Sequence, residues 1–335
     1  MEGVSRHPAA SRRSRRRAWL RLTRVNESAY RAAEQRLWRS IGVTPVEQSI
    51  HLERNDVNVR IQEIGTGPAV LFIHGANTSG ASWAKLAAKI TGFRCLILDR
   101  PGTGLSEPLK RRIDASSLPE IAETLVIDIL DALQLPSAHL VATSLGGYVA
   151  LRTAAARPER VDRMVQFSWP VGAPIKNLPW VLRAIAIPGV GRLAASMPAN
   201  ERSTRMLFKR MGHGAKLKDG RITQADIDCY LALLRDTDTL RNEIAPARAL
   251  ISPIRGLDRI QLTDEALAKV SCPTLFIWGA HDLFGGAQAA QELVARIPGA
   301  ELQLMPEASH SPWLDDVDHC AAAVAEFLGR ARPAG

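Results

Sequence analysis

The sequence predicts an α/β protein, a mostly parallel sheet with helices on both faces and a helical segment inserted between two of its strands. Three observations carry this. Strand-length stretches at 69–73, 93–98, 139–142 and 161–167, the first of them unbroken apolar, alternate with segments of helical periodicity, and an unbroken apolar run of strand length is what a sheet buried on both faces requires. The rhythm then stops between Trp169 and about Val270, where no buried strand run occurs, and resumes at Cys272-Pro273-Thr274-Leu275-Phe276-Ile277-Trp278. Midway through the first block a strand ends in Ala142-Thr143-Ser144-Leu145-Gly146 and continues as a small-residue helix.

Bulk properties set the frame. With 335 residues, 46% hydrophobic and 23% charged, the chain suffices for one large domain with an insertion or for two domains. No stretch approaches the roughly 18 consecutive apolar residues of a membrane span. Cys95, Cys229, Cys272 and Cys320 lie far apart without a C-x-x-C spacing, so reduced thiols in a cytoplasmic protein are expected, and neither a zinc site nor a disulfide framework. The net charge of +9 is uneven: residues 1–45 hold 11 Lys/Arg against 3 Asp/Glu, residues 176–270 hold 16 against 10, and the rest 16 against 21. The basic residues are not interleaved with aromatics on a recognisable module, so no nucleic-acid partner is expected.

Taken in order, residues 1–17 carry six Arg that repel one another and bury nothing, which predicts disorder. Ser11-Arg12-Arg13 hints at a twin-arginine export signal, but no apolar region follows it. Over 19–38, Leu22, Val25, Ala29, Ala33 and Leu37 recur at helical spacing, with arginines for another face. This helix is expected to pack on the body; the alternative is weak contact with an anionic membrane surface. Residues 46–64 alternate around Arg54-Asn55-Asp56 and predict a β-hairpin.

The strand 69–73 runs into His74-Gly75-Ala76-Asn77, where bracing of the loop is the expected role of His74. A short helix is expected over 82–90. The strand 93–98 ends in Asp99-Arg100-Pro101-Gly102-Thr103-Gly104-Leu105-Ser106, whose Gly-x-Gly lacks the further residues of a phosphate-binding loop. Ser117-Leu118-Pro119-Glu120 is expected to cap a helix to Leu133 with Leu118, Ile121, Leu125, Ile129 and Leu133 buried.

At Ser144 the pattern reads as strand, sharp turn, helix. The residues two before and two after must be small for such a turn to close, and Ala142 and Gly146 fill those places. The hydroxyl then stands at the carboxyl end of a strand, and the N–H of Leu145 opens a helix whose dipole favours an oxyanion. Helix is expected over 148–156, a turn at Pro158-Glu159-Arg160 and a strand over 161–167. In the strand-free segment Pro170, Pro174, Pro179, Pro188, Pro198, Pro246 and Pro253 read as turn signals among amphipathic helices. Past the strand that follows Pro273 come Gly279-Ala280-His281-Asp282. A helix over 288–297, a strand over 301–305, the loop Pro306-Glu307-Ala308-Ser309-His310-Ser311-Pro312-Trp313 and a helix over 321–328 complete the chain.

Leu140 to Gly147 resembles the nucleophile elbow of the α/β-hydrolase superfamily, usually Gly-x-Ser-x-Gly, with Ala142 in the first slot. His74-Gly75 resembles its oxyanion loop, and Asp99 to Ser106 its Asp-x-x-Gly-x-Gly-x-Ser loop. Asp282 and His310 stand where the family keeps its acid and its base; the family's second place for the acid holds Ser168 and Trp169. The resemblance covers about residues 46–330. It implies a core of 46–168 and 271–335, a helical cap of 169–270 and a basic N-terminal extension of 1–45. Trp169, Trp180, Leu182, Ile185, Ile187, Met197, Met206, Leu207, Phe208 and Met211 are candidates for the substrate side of that cap.

What the resemblance implies chemically is a Ser144-Asp282-His310 triad. The N–H groups of Ala76 and Leu145 would form the oxyanion hole, each donor contributing about 3 kcal/mol in comparable sites. No cofactor and no metal is called for. A serine in the elbow argues against the haloalkane dehalogenases and epoxide hydrolases, which use aspartate there. Esterases and lipases, lactonases, carbon–carbon bond hydrolases and perhydrolases remain, with a carboxylic ester or related acyl compound of largely apolar, small to medium size as the expected substrate. A ligand-binding receptor on the same fold is the non-enzyme alternative. Oligomeric state is left open.

Overall fold

A computed structural model of the chain describes residues 25–175, 199–252 and 256–331, together with positions 178, 183, 184, 187, 189, 190 and 193. The segment 1–17, the start of the helix expected from Trp19, and the cap candidates Trp180, Leu182, Ile185 and Met197 lie outside these residues.

The sheet has eight strands: β1 (Val46–Leu52), β2 (Val57–Ile64), β3 (Ala69–Ile73), β4 (Arg94–Leu98), β5 (Ala138–Thr143), β6 (Val161–Phe167), β7 (Thr274–Gly279) and β8 (Glu301–Met305). They lie in the order β1-β2-β4-β3-β5-β6-β7-β8. β1 and β2 form the expected hairpin and β2 pairs antiparallel with β4, while every later pairing is parallel. All six residues of β5 and of β7 are buried, which is why their middles, 140–142 and 275–278, are apolar throughout. β3 sits between β4 and β5, so its loop and that of β5 open at the point where chain order reverses, the usual place for a site in such sheets.

The longer helices are α1 (Glu27–Ser40), α2 (Leu118–Ala132), α3 (Ser144–Ala156), α4 (Glu201–Phe208), α5 (Gln224–Asp236), α6 (Thr239–Leu250), α7 (Ala287–Val294) and α8 (Val317–Gly329). They cover the sheet from both sides. Leu71 and Ile73 join an apolar cluster with α2 and α3, whereas Val70 and Phe72 face the other way into a cluster with α1, α5 and α8. Helices α4, α5 and α6 all fall between β6 and β7. Among the described residues no helix is long and apolar enough to cross a membrane.

Local departures from the sequence reading have physical causes. α1 starts at Glu27 because the Asn26 side chain accepts the N–H of Ala29 at 3.2 Å. Its buried face is accordingly Tyr30, Ala33, Glu34, Leu37 and Trp38, and Val25 is left 47% exposed. That face packs on the body: the Tyr30 hydroxyl donates to Ser79 Oγ at 2.9 Å, Arg60 of β2 donates to Glu34 Oε1 at 3.0 Å, and the N–H of Asn26 donates to the Asp236 carbonyl at 2.8 Å. Ser117 does not cap α2; its hydroxyl donates to the Arg112 carbonyl, and Asp114 takes the N–H groups of Ser116 and Ser117. Pro246 lies inside α6 rather than in a turn.

Candidate active site

Ser144 is the first residue of α3 and has a φ of 51°, a left-handed backbone that only a constrained turn imposes on a non-glycine residue. Crowding explains the small neighbours. A Cβ at Gly146 would lie 2.1 Å from the Ile73 carbonyl oxygen, and one at Gly147 would lie 2.3 Å from Gln166 Oε1. Even Gly75, in the facing loop, leaves only 3.0 Å between such an atom and Ser144 Cβ. The loop after β3 is thus pressed against the serine. Leu145 is the second residue of α3, so its N–H is among those a helix leaves unpaired.

β7 ends at Gly279, where a Cβ would meet the Ser309 carbonyl oxygen at 2.1 Å, and this close approach joins the two loops that carry Asp282 and His310. His310 Nδ1 is 2.9 Å from Asp282 Oδ2. The same oxygen accepts the Trp169 N–H at 3.0 Å, and Oδ1 accepts the Phe284 N–H at 2.9 Å. Both residues are buried. A carboxylate held this way accepts a hydrogen bond from Nδ1–H, which keeps the proton on that nitrogen and leaves Nε2 as the acceptor. The edge of Phe284 meets the imidazole at 4.7 Å, and Phe284 in turn stacks on Trp169 at 5.1 Å.

Ser168 and Trp169, where the family's second acid position falls, hold the acid loops together. Ser168 has a φ of 50°, and its hydroxyl reaches the Ser309 carbonyl at 3.3 Å while accepting the Gly279 N–H at 3.3 Å. The sequence showed only that no carboxylate stood there; that Trp169 offers its backbone N–H to Asp282 depends on a turn no side-chain pattern reports.

The facing loop is braced by His74, as the sequence suggests. Its Nδ1–H donates to the Gly75 carbonyl at 2.8 Å and its Nε2 accepts the Arg100 N–H at 3.0 Å. Burial, reinforced by the charge of Arg100, holds the imidazole pKa well below its usual value of 6.5, so it stays neutral. Arg100 also donates to the carbonyls of His74 and Gly75, at 3.0 and 2.9 Å. Sequence reasoning missed Glu243. From α6 it accepts the Asn77 N–H at 3.0 Å and pairs with Arg100 at 3.1 Å. The same helix accepts the Gly104 N–H through Thr239 Oγ1 at 2.9 Å and donates from Asn242 to the Gly102 carbonyl at 2.9 Å. α6 is therefore fastened to both loops that enclose the serine.

Ser144, His310, Ala76 and Leu145 all line one cavity of about 560 Å³; Asp282 stands behind His310. The walls are mainly apolar, with Leu118, Ile121 and Leu125 from α2 on one side. Of the described cap candidates, Trp169, Leu207, Phe208 and Met211 reach the cavity, whereas Met206 and Ile187 are exposed. Leu37 of α1 also lines it, a contribution from the N-terminal extension that sequence spacing did not announce. Among the described residues no three His, Cys, Asp or Glu side chains converge as a metal set. The four cysteines are buried, and burial pushes the Cys95 thiol up to about 12.

A family profile described as alpha/beta hydrolase fold matches residues 68–317. A 2-hydroxy-6-oxononadienedioate/2-hydroxy-6-oxononatrienedioate hydrolase of Cupriavidus pinatubonensis is 27% identical over 291 residues, 84% of this chain and 94% of its own length. An uncharacterised protein of Mycobacterium tuberculosis is 28% identical over 279 residues, covering 81% of this chain and 78% of its own length. Among solved structures, a carboxylesterase of Bacillus subtilis superposes with a TM-score of 0.70 at 21% identity, covering 91% of this chain and 98% of its own. A 2-hydroxy-6-oxo-6-phenylhexa-2,4-dienoate hydrolase of a Rhodococcus species also gives 0.70, at 19% identity over 86% of this chain and 99% of its own.

Proposed function

The chain belongs to the alpha/beta hydrolase fold family, and from that premise we propose that it is a cofactor-independent serine hydrolase of a small to medium, largely apolar carboxylic ester or related acyl compound. The observation that carries this reading is the buried His310–Asp282 pair on the wall that also holds Ser144 in its strained turn. Ser144 Oγ attacks the acyl carbon while His310 Nε2 takes its proton, and Asp282 stabilises the imidazolium that forms. The carbonyl oxygen, now negative, is received by the N–H groups of Ala76 and Leu145. His310 hands the proton to the leaving atom as the bond to it breaks. Water, deprotonated by His310, then attacks the acyl carbon, and His310 returns that proton to Ser144 Oγ as the acid leaves. The apolar walls fit an apolar acyl chain better than a sugar or a phosphate.

A second reading is hydrolysis of a carbon–carbon bond beside a ketone, which the names of the relatives favour. Lactone hydrolysis and perhydrolysis run on the same groups. The test is turnover of p-nitrophenyl esters of increasing chain length beside lactones and a vinylogous 1,5-diketone acid. Medium-chain esters should be the best substrates, with all turnover lost in Ser144→Ala. A preference for the diketone acid would move the assignment to carbon–carbon hydrolysis, and ester turnover that survives Ser144→Ala would overturn it.

A further inference from the structure

A second histidine–carboxylate pair stands beside the first. His213 lies in the turn that follows α4, and Asp315 lies five residues beyond His310. His213 Nδ1 is 2.9 Å from Asp315 Oδ1, and the other oxygen of that carboxylate accepts the Ser309 N–H at 2.9 Å. The two residues are 1% and 4% exposed. Gly212 makes the approach possible: its φ is 93°, and a Cβ there would lie 2.0 Å from Ser309 Oγ. His213 is thus held against the loop that carries His310, and Arg221 donates to the backbone carbonyl of Asp315.

His213 lines the cavity, yet its Nε2 has no hydrogen-bond partner. Among the described residues that line the cavity, this is the one fully buried side-chain nitrogen or oxygen left unpaired. An orphaned polar atom in an apolar wall is unfavourable until a ligand atom meets it. The other charged groups of the wall are matched already, Arg100 with Glu243, Lys85 with Asp226 and His310 with Asp282. His213 is paired as well, through Nδ1 with Asp315, so what the wall still offers a ligand is its partnerless Nε2.

We propose that His213 is a specificity-determining residue. As an imidazolium positioned by Asp315, it donates Nε2–H to a carboxylate oxygen on the leaving portion of the substrate. The leaving portion is the one concerned because Gly212 packs on Ser309, next to the histidine that hands its proton to the leaving atom. The assignment of that side rests on the serine-hydrolase reading; the existence of the subsite does not.

The probes are 3- and 4-(hexanoyloxy)benzoate and the matching benzamides, bound calorimetrically to the Ser144→Ala protein, which holds the esters without turning them over. At least one benzoate isomer should bind about tenfold or more tightly than its amide, and the preference should vanish in Ser144→Ala/His213→Gln. Asp315→Asn on the same background should weaken it, which separates a charge effect from loss of shape. Equal benzoate-to-amide ratios with and without His213 overturn the proposal. So does tighter binding of the amide, whose N–H would suit a bare Nε2 lone pair. Turnover of the same esters by the protein with Ser144 intact reads the hydrolase assignment separately.

Discussion

The turn at Ser144 and the places of Asp282 and His310 past strand ends were legible in the sequence because such positions constrain the residues around them. A φ of 51° at Ser144 demands small neighbours, and a carbonyl oxygen 2.1 Å from any Cβ at Gly146 enforces one of them. Ser144→Ala and His310→Ala should each abolish turnover with unchanged melting temperature, because the three residues act as a unit. Asp282→Asn should retain the fold and lose about 10⁴-fold in kcat, since the imidazole then takes the wrong tautomer; single-turnover kinetics would measure it. His74 adds a pH effect on stability. Its folded pKa lies well below 6.5, so the unfolded chain gains a proton first as pH falls. Stability is full above pH of about 6.5 and is lost below it. Melting temperature should decline from pH 7 to 5, and His74→Gln should flatten part of that slope. The Trp169 N–H, Glu243 and His213 were not legible, because their roles depend on atoms brought together from distant segments.

At the scale of elements, β3 and β7 were the most legible strands, since burial on both faces leaves an almost unbroken apolar run. The helices of the insertion were read less well. Pro246 within α6 reads as a break, yet it is accommodated in a helix that Thr239, Asn242 and Glu243 fasten by hydrogen bonds to the loops below it. Glu243→Ala removes the acceptor of the Asn77 N–H beside Ala76. It should lower kcat by about 10- to 100-fold with little change in KM, and Glu243→Gln should restore part of the loss because it still accepts that N–H. α1 shows the same limit. Its periodicity was visible, but not that Glu34 would enter the body to meet Arg60, which is itself buried beside Asp99. Glu34→Ala should cost about 3 kcal/mol, as removal of one partner from a buried ion pair does, and urea denaturation would measure it. Deletion of residues 1–45 should lower thermal stability for the same reason.

On the scale of the whole molecule, one sheet brings three chemical groups to a single edge. Ser144 follows β5, Asp282 follows β7 and His310 follows β8, while the cavity between them is closed by the helices inserted after β6 and by Leu37 of α1. The order of these groups along the chain was legible because each lies at a strand end; the closure was not, since it needs contacts across the cap. The hydrolysis proposed for this cavity rests on Ser144 acting as a nucleophile activated by His310. The most direct measurement is mass spectrometry of the protein after brief exposure to a fluorophosphonate probe. One adduct per chain is expected, located on Ser144, formed fast in the unaltered protein and at least a thousandfold more slowly in His310→Ala, in line with the loss of about 10³-fold or more on removing a member of such a unit. Adduct on another residue, or labelling of Ser144 that proceeds equally fast without His310, would contradict it.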